Sequence, residues 1–287
     1  MDEEKSRIVL KQIERMPSLS PTVAKIMQVA NDPASSANDL NKVISLDPVL
    51  AAKVLKLVNS AYFGLNDKIT STVRAIVILG LNTIKNLALS TAALETMKMK
   101  EKGGLDIDQY WRHLLGTGVM CKLIARKIGI PKDNLEDFFL AGLLHDIGKV
   151  VLNRLNTQMF RKLIDATKEK GLSLPAGEGV VFGINHAEIG ELLGGKWGLT
   201  DPLVQAMAFH HNPAKCSDEH RKIVFTTYIS NNFCKRESVG DSGNGVVEKI
   251  DDAILGEVGI TPEQLDDFSG YLLEGVDRAA IFLKTAS

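Results

Sequence analysis

The chain has 287 residues, 45% hydrophobic and 24% charged, enough for one large domain or two ordinary ones with a real core. Basic residues number 34 and acidic residues 35, so a net charge of −1 gives no global field to recruit nucleic acid or an anionic membrane. The cysteines, Cys121, Cys216 and Cys234, lie far apart without a CxxC pair, which excludes a disulfide framework or zinc knuckle and points to a reducing cytoplasm.

The opening residues, MDEEKSRIVL, are charged and lack the apolar centre of a signal peptide. No run reaches the roughly 18 uninterrupted apolar residues of a membrane span. The best candidate, AIVILGLNTIKNLAL, is broken by Asn82, Thr83, Lys85 and Asn86. A cytoplasmic protein without membrane contact is expected.

Taken in order, nearly every segment reads as helix. Ser20-Pro21 places a capping residue and then proline before TVAKIMQVAND. Pro33 closes that segment, Ser36 caps ANDLNKVISLD, and Asp47-Pro48 repeats the signal before VLAAKVLKLVNSAYF. Further helices are predicted over TSTVRAIVILG and LNTIKNLALSTAALETMKM. Residues 98–106 form a polar, glycine-containing joint. Beyond it come DQYWRHLLGTGVMCKLIARKI, a buried helix over EDFFLAGLLHDIGKVVL, MFRKLIDATKEKG, HAEIGELLGGKW, PLVQAMAFHH and RKIVFTTYISNNFCKR. SVGDSGNG is the most loop-like stretch, and Thr261-Pro262-Glu263-Gln264 has the pattern of a capping box.

Apolar spacing of three and four recurs, as at Leu50, Val54, Leu57 and Val58, and no alternating strand pattern appears. The chain is therefore expected to be all-α, in two helical lobes divided at residues 1–100 and 101–287, the second ending in acidic helices. The last segment carries an apolar stripe through Leu265, Phe268, Tyr271, Leu272 and Val276, and is expected to pack back onto the second lobe; a homodimer contact is the alternative. SSANDLNKVISLDPVLAAKVLKLVNS has the outline of a helix-turn-helix, but its second helix offers only Lys53 and Lys56 to phosphates, so no nucleic-acid partner is expected.

The chemistry concentrates in LLHDIGK. An ionised Asp146 beside His145 in an apolar stretch requires compensation: a mutual hydrogen bond, a partner elsewhere, or a metal ion. His113 lies on an earlier helix beside Trp111, His186 begins a later one, and His210-His211 end another before Asn212-Pro213. Imidazoles on successive helices are the means by which helical proteins build internal metal sites. With a carboxylate that can bridge two ions, the set suits Fe, Mn, Zn or Ni. Lys149 stands one turn beyond His145, placed to add positive charge, and Gly142 and Gly148 leave room for close helix approach. His220 reads as solvated, Trp111 and Trp197 as packing anchors, and Gly194-Gly195 as a helix end.

The pattern H…HDIGK…H…HH resembles the HD superfamily of metal-dependent phosphohydrolases. Asp47-Pro48, Asn59-Ser60, Tyr62, Gly64, Ile69, Ala75-Ile76, Leu79-Gly80 and Asn86-Leu87 narrow the likeness to the HDOD family, the HD-related output domains of bacterial signalling. The resemblance covers roughly residues 10 to 235. It implies an all-helical fold with an HD-like second lobe, and a bacterial regulatory role exerted through signalling protein partners. Carried over by position, the metal ligands would be His113, His145, Asp146, His186 and one or both of His210 and His211.

Two departures stand out. HD enzymes supply a last aspartate ligand on the following helix, where this chain offers Ser230 and Asn231; Asn231 brings a neutral oxygen and one negative charge fewer. The Gly-Tyr-Pro loop of the branch that cleaves cyclic di-GMP is replaced by HHNPAKCSDEH. The expectation is a signalling output module that retains a divalent metal site of Fe, Mn, Ni or Zn. The alternative is a phosphohydrolase acting on a nucleotide or other phosphate ester, with Asp146 and Lys149 as its catalytic residues.

Overall fold

The computed structural model describes residues 3–96 and 104–286. No strand occurs among them, as the sequence predicts. The first half comprises α1 (Glu3–Arg15), α2 (Pro21–Asn31), α3 (Ala37–Ile44), α4 (Pro48–Val58), α5 (Thr72–Leu79) and α6 (Leu81–Thr96). The second comprises α7 (Ile107–Lys127), α8 (Leu135–Leu144), α9 (Gly148–Leu155), α10 (Thr157–Lys170), α11 (Leu174–Phe182), α12 (His186–Lys196), α13 (Asp201–Phe209) and α14 (Arg221–Arg236). After a long non-helical strap come α15 (Asp252–Val258), α16 (Pro262–Asp266), α17 (Ser269–Ala279) and α18 (Ile281–Ala286).

The predicted starts are built as their chemistry requires. Ser20 Oγ accepts from the Val23 N–H, and an Asp47 carboxylate oxygen accepts from the Leu50 N–H, each just ahead of a first-turn proline. Ser36 with Asp39, and Thr261 with Gln264, form reciprocal capping boxes.

A hydrophobic core runs from Val9 in α1 to Phe282 in α18. The expected boundary at residues 100/101 lies within 97–103, outside the described residues. On either side of it, α6 packs against α8, and its polar residues serve that contact. Asn82 and Asn86 each donate to the Asp137 carboxylate at 2.7 Å, and Lys85 donates to Asn31. No single helix among the described residues is long and apolar enough to cross a membrane; α5 and α6 are bent by 117° at their junction, where Gly80 has φ +85°.

Two expected helices break. The run through LLHDIGK is not one helix: α8 ends at Leu144, residues 145–147 form a turn, and α9 begins at Gly148. Contacts of the tighter i→i+3 kind, from Ile147 N–H to Leu144 O and from Lys149 N–H to Asp146 O, redirect the chain there. Gly148 lets the corner lie against the start of α12, since a Cβ on it would sit 2.0 Å from the His186 carbonyl oxygen. The terminal segment is likewise three helices. Leu265, Phe268, Leu272 and Val276 are buried as predicted, but Tyr271 is 62% exposed and lies off the stripe. α17 packs on α7, and α18 packs on α4 and α6.

SVGDSGNG is a loop, yet Val239, Ser242 and Asn244 are buried. It lies against α7, where the Asp241 N–H donates to the Gln109 carbonyl at 2.9 Å. Gly194 and Gly195 stand in the last turn of α12, Trp111 and Trp197 are buried, and Cys121, Cys216 and Cys234 are free thiols.

Candidate metal centre

The α8–α9 corner presents Asp146 to imidazoles arriving from α7, α12 and the end of α13. Gly142 lets α8 approach α7 so closely that a Cβ on it would lie 2.6 Å from the Gly118 nitrogen. That approach brings His113 and His145 to one side of Asp146, with ring centroids 5.5 Å apart. Asn185, capping α12, sets His186 on the other side, beside His210 and His211.

Asp146 divides its oxygens between these groups. Oδ1 lies 3.0 Å from His186 Nε2 and 3.4 Å from His210 Nε2. Oδ2 lies 3.4 Å from His145 Nε2 and 3.9 Å from His113 Nε2, and 2.5 Å from Lys149 Nζ. His211 Nε2 joins the first group, 3.1 Å from His186 Nε2, while His186 and His210 Nε2 are 3.3 Å apart. All seven residues predicted for the site are therefore assembled, with Asn231 Oδ1 3.1 Å from His113 Nε2. Lys149 is also there, as expected, but its ammonium is paired with Asp146. His220 is elsewhere, at the start of α14 beside Glu219.

The far side of four of the rings is occupied. His145 Nδ1 faces the Gly142 carbonyl at 2.7 Å, and His210 Nδ1 the Met207 carbonyl at 2.9 Å. His186 Nδ1 faces Glu178 at 2.6 Å, and His211 Nδ1 faces Glu248 at 3.2 Å. An acceptor at Nδ1 fixes the proton there and turns the Nε2 lone pair inward, as in metal-binding histidines. The Nε2 atoms of His210 and His211 thus meet that of His186 at 3.3 and 3.1 Å. His145 Nε2 and Asp146 Oδ1 are buried without a hydrogen-bond partner. Orphaned acceptors around one carboxylate fit a cation.

Burial pushes His113 and His210 each down to about 3, and drives His211 well below the ordinary histidine range with help from His210 and His186. Burial would also lower His186, but the Glu178 and Asp146 carboxylates together outweigh it and raise the group. For Asp146 burial acts upward, and Lys149, His145 and His186 together overcome it to hold the carboxyl well below the carboxylate range.

Sequence reasoning missed Glu178, Glu248 and Lys235. Glu178 is fully buried, and its Oε2 accepts from both the ring and the backbone N–H of His186. Glu248 comes from the strap, which is fixed by its own N–H donating to Asn232 Oδ1. Lys235 Nζ is buried without a hydrogen-bond partner, and burial, then Lys149, lowers it to about 8. The one available signal was the unexplained acid of LPAGEGVVF, alone in a predominantly apolar helix.

A model of the HDOD domain matches residues 16–213. An uncharacterized protein of Treponema pallidum (strain Nichols) is 28% identical over 220 residues, which are 77% of this chain and 42% of that one, so the chain spans less than half the length of this curated relative. The solved structure of an HDOD domain protein with unknown function from Geobacter sulfurreducens matches with a TM-score of 0.79 at 23% identity, covering 98% of each chain. A protein of Marinobacter aquaeolei VT8, provisionally assigned to signal transduction, matches with a TM-score of 0.78 at 21% identity, covering 98% of this chain and 65% of that one. At such identities the structural likeness shows the fold.

Proposed function

The chain belongs to the HDOD domain family, and on that premise we propose that it is a signalling output module that acts through protein contacts and holds a divalent metal in the cluster around Asp146. The ligands would be drawn from His113, His145, His186, His210, His211, Asp146 and Asn231. Bound there, an ion supplies the positive charge that the inward lone pairs lack, and binding only the folded state it adds its binding free energy to stability.

The enclosure of the cluster carries this reading. His113, His145, Asp146, Lys149, His186 and His210 are each at most 1% exposed, and only His211, at 12%, reaches towards solvent. Donors 3.0–3.9 Å from Asp146 have room for an ion between them and none for a phosphate ester. The Asn231 amide and the replaced Gly-Tyr-Pro loop point the same way. Residues of the cluster position and enclose the ion site.

One observation favours the alternative, a metal-dependent phosphohydrolase. The unpartnered Lys235 ammonium would find its counter-charge in an anionic ligand such as a nucleotide phosphate. The two readings separate in one assay. The full chain, loaded in turn with Fe, Mn, Ni and Zn, is incubated with bis-p-nitrophenyl phosphate and cyclic dinucleotides. The output-module reading expects no hydrolysis beyond that of an Asp146→Ala control. Turnover that this substitution abolishes would establish the enzyme.

A further inference from the structure

We infer that the centre is mononuclear and lopsided: one ion sits among His186, His210, His211 and Asp146 Oδ1, and the Lys149 ammonium occupies the position a second ion would need. The inference rests on the metal reading above and specifies it.

Three features of the cluster converge on this. First, the donors fall into two groups that share only Asp146: His186, His210 and His211 on one side, His113 and His145 on the other. The first group with Oδ1 supplies three imidazoles and one carboxylate oxygen, the four-coordinate set of zinc-like ions. Second, Oδ2, the oxygen the other group would use, already accepts from Lys149 Nζ at 2.5 Å. An ion beside His113 and His145 would have to share Oδ2 with an ammonium that repels it. Asn231 adds no charge to offset that repulsion, and its Oδ1 stands as an acceptor 3.1 Å from His113 Nε2.

The third feature is where the outer carboxylates stand. Glu178 lies behind His186 and Glu248 behind His211. Behind His145 stands only the neutral Gly142 carbonyl. Negative charge behind an imidazole makes it a stronger ligand, so two of the three rings on the first side are strengthened this way. The cluster is thus a complete site joined to a half-site closed by a lysine.

The test is titration of the metal-stripped full chain with Co(II) and then Zn(II), reading stoichiometry and the visible spectrum of bound cobalt. One ion per chain is expected, with the intense bands of four-coordinate cobalt. His211→Gln should weaken binding at least tenfold and lose those bands. His145→Gln should retain one ion and the bands. Lys149→Met should raise the stoichiometry to two; if that variant does not fold, the histidine pair decides. Two ions in the unaltered chain, or loss of the ion in His145→Gln with retention in His211→Gln, would overturn this assignment and leave the metal reading intact. Absence of any binding would overturn both.

Discussion

Glu178 Oε2 accepts two hydrogen bonds from one residue, His186: from its ring Nδ1–H at 2.6 Å and from its backbone N–H at 2.8 Å. The carboxylate therefore fixes the tautomer of the ring and the first turn of α12 together, from within the core. Replacing it with Gln keeps the shape and removes the charge. Glu178→Gln should weaken zinc binding by about 10–100-fold, the usual cost of losing an outer partner of a ligating histidine. Competition against a chromophoric chelator reads this directly, and an unchanged affinity would remove Glu178 from the site.

The α8–α9 corner makes a second prediction. A Cβ on Gly148 would lie 2.0 Å from the His186 carbonyl oxygen, whereas a Cβ on Gly195 in the same neighbouring helix meets nothing within 4 Å. Gly148→Ala should destabilise the fold by about 3 kcal/mol, the upper part of the overpacking range, because backbone rather than a side chain must yield. Gly195→Ala should be neutral, or stabilising by up to about 1 kcal/mol. Urea midpoints of the two variants should move in these opposed directions.

Tyr62 provides a third. Its hydroxyl accepts from Lys122 Nζ at 3.0 Å and donates to Glu136 at 3.0 Å, and Lys122 also pairs with Glu136. Tyr62→Phe should cost about 1 kcal/mol, one hydrogen-bonding group lost while the ion pair stays. Lys122→Met should cost more, about 3 kcal/mol, because Glu136 is 3% exposed and would keep only the Tyr62 hydroxyl, with no counter-charge. Equal costs in thermal unfolding would contradict this ranking.

Acid should weaken the metal-free fold. Burial holds His113 and His210 at about 3, far below the ordinary histidine value of about 6.5. Between those values the unfolded chain binds protons that the folded chain refuses, so stability falls as pH drops from about 6.5 towards 3. His186, raised by Glu178, acts in the opposite sense: its contribution is complete below its unfolded pKa and is lost as pH rises through its folded one. With His211 also depressed, three lowered rings outweigh one raised ring. Urea midpoints of chelator-treated protein at pH 7, 5.5 and 4.5 should descend in that order.

Much of this was legible in the sequence where the determinants are local. Ser20-Pro21, Ser36, Asp47-Pro48 and Thr261 announce helix starts through contacts within four residues, and those contacts form. The assembly of His113, His145, Asp146, His186, His210 and His211 was legible only as a set, because each alone resembles an ordinary buried or surface histidine. Apolar periodicity concealed the α8–α9 corner: Leu143, Leu144, Ile147 and Val150 are buried on both sides of the turn, so their spacing reads as one uninterrupted helix. Glu178 and Glu248 were illegible for a different reason. They meet their histidines across 8 and 37 residues, with no spacing rule to connect them.

The cluster draws on both sides of residue 213, where the family match ends. Residues 16–213, by which kinship is recognised, contain the five clustered imidazoles, Asp146, Lys149 and Glu178. Asn231 and Glu248 come from beyond that stretch. Substitutions at these two positions would reset the charge around an ion bound at Asp146 while residues 16–213 stay unchanged. The electrostatics of the cluster are therefore set in part by residues that the family match does not reach.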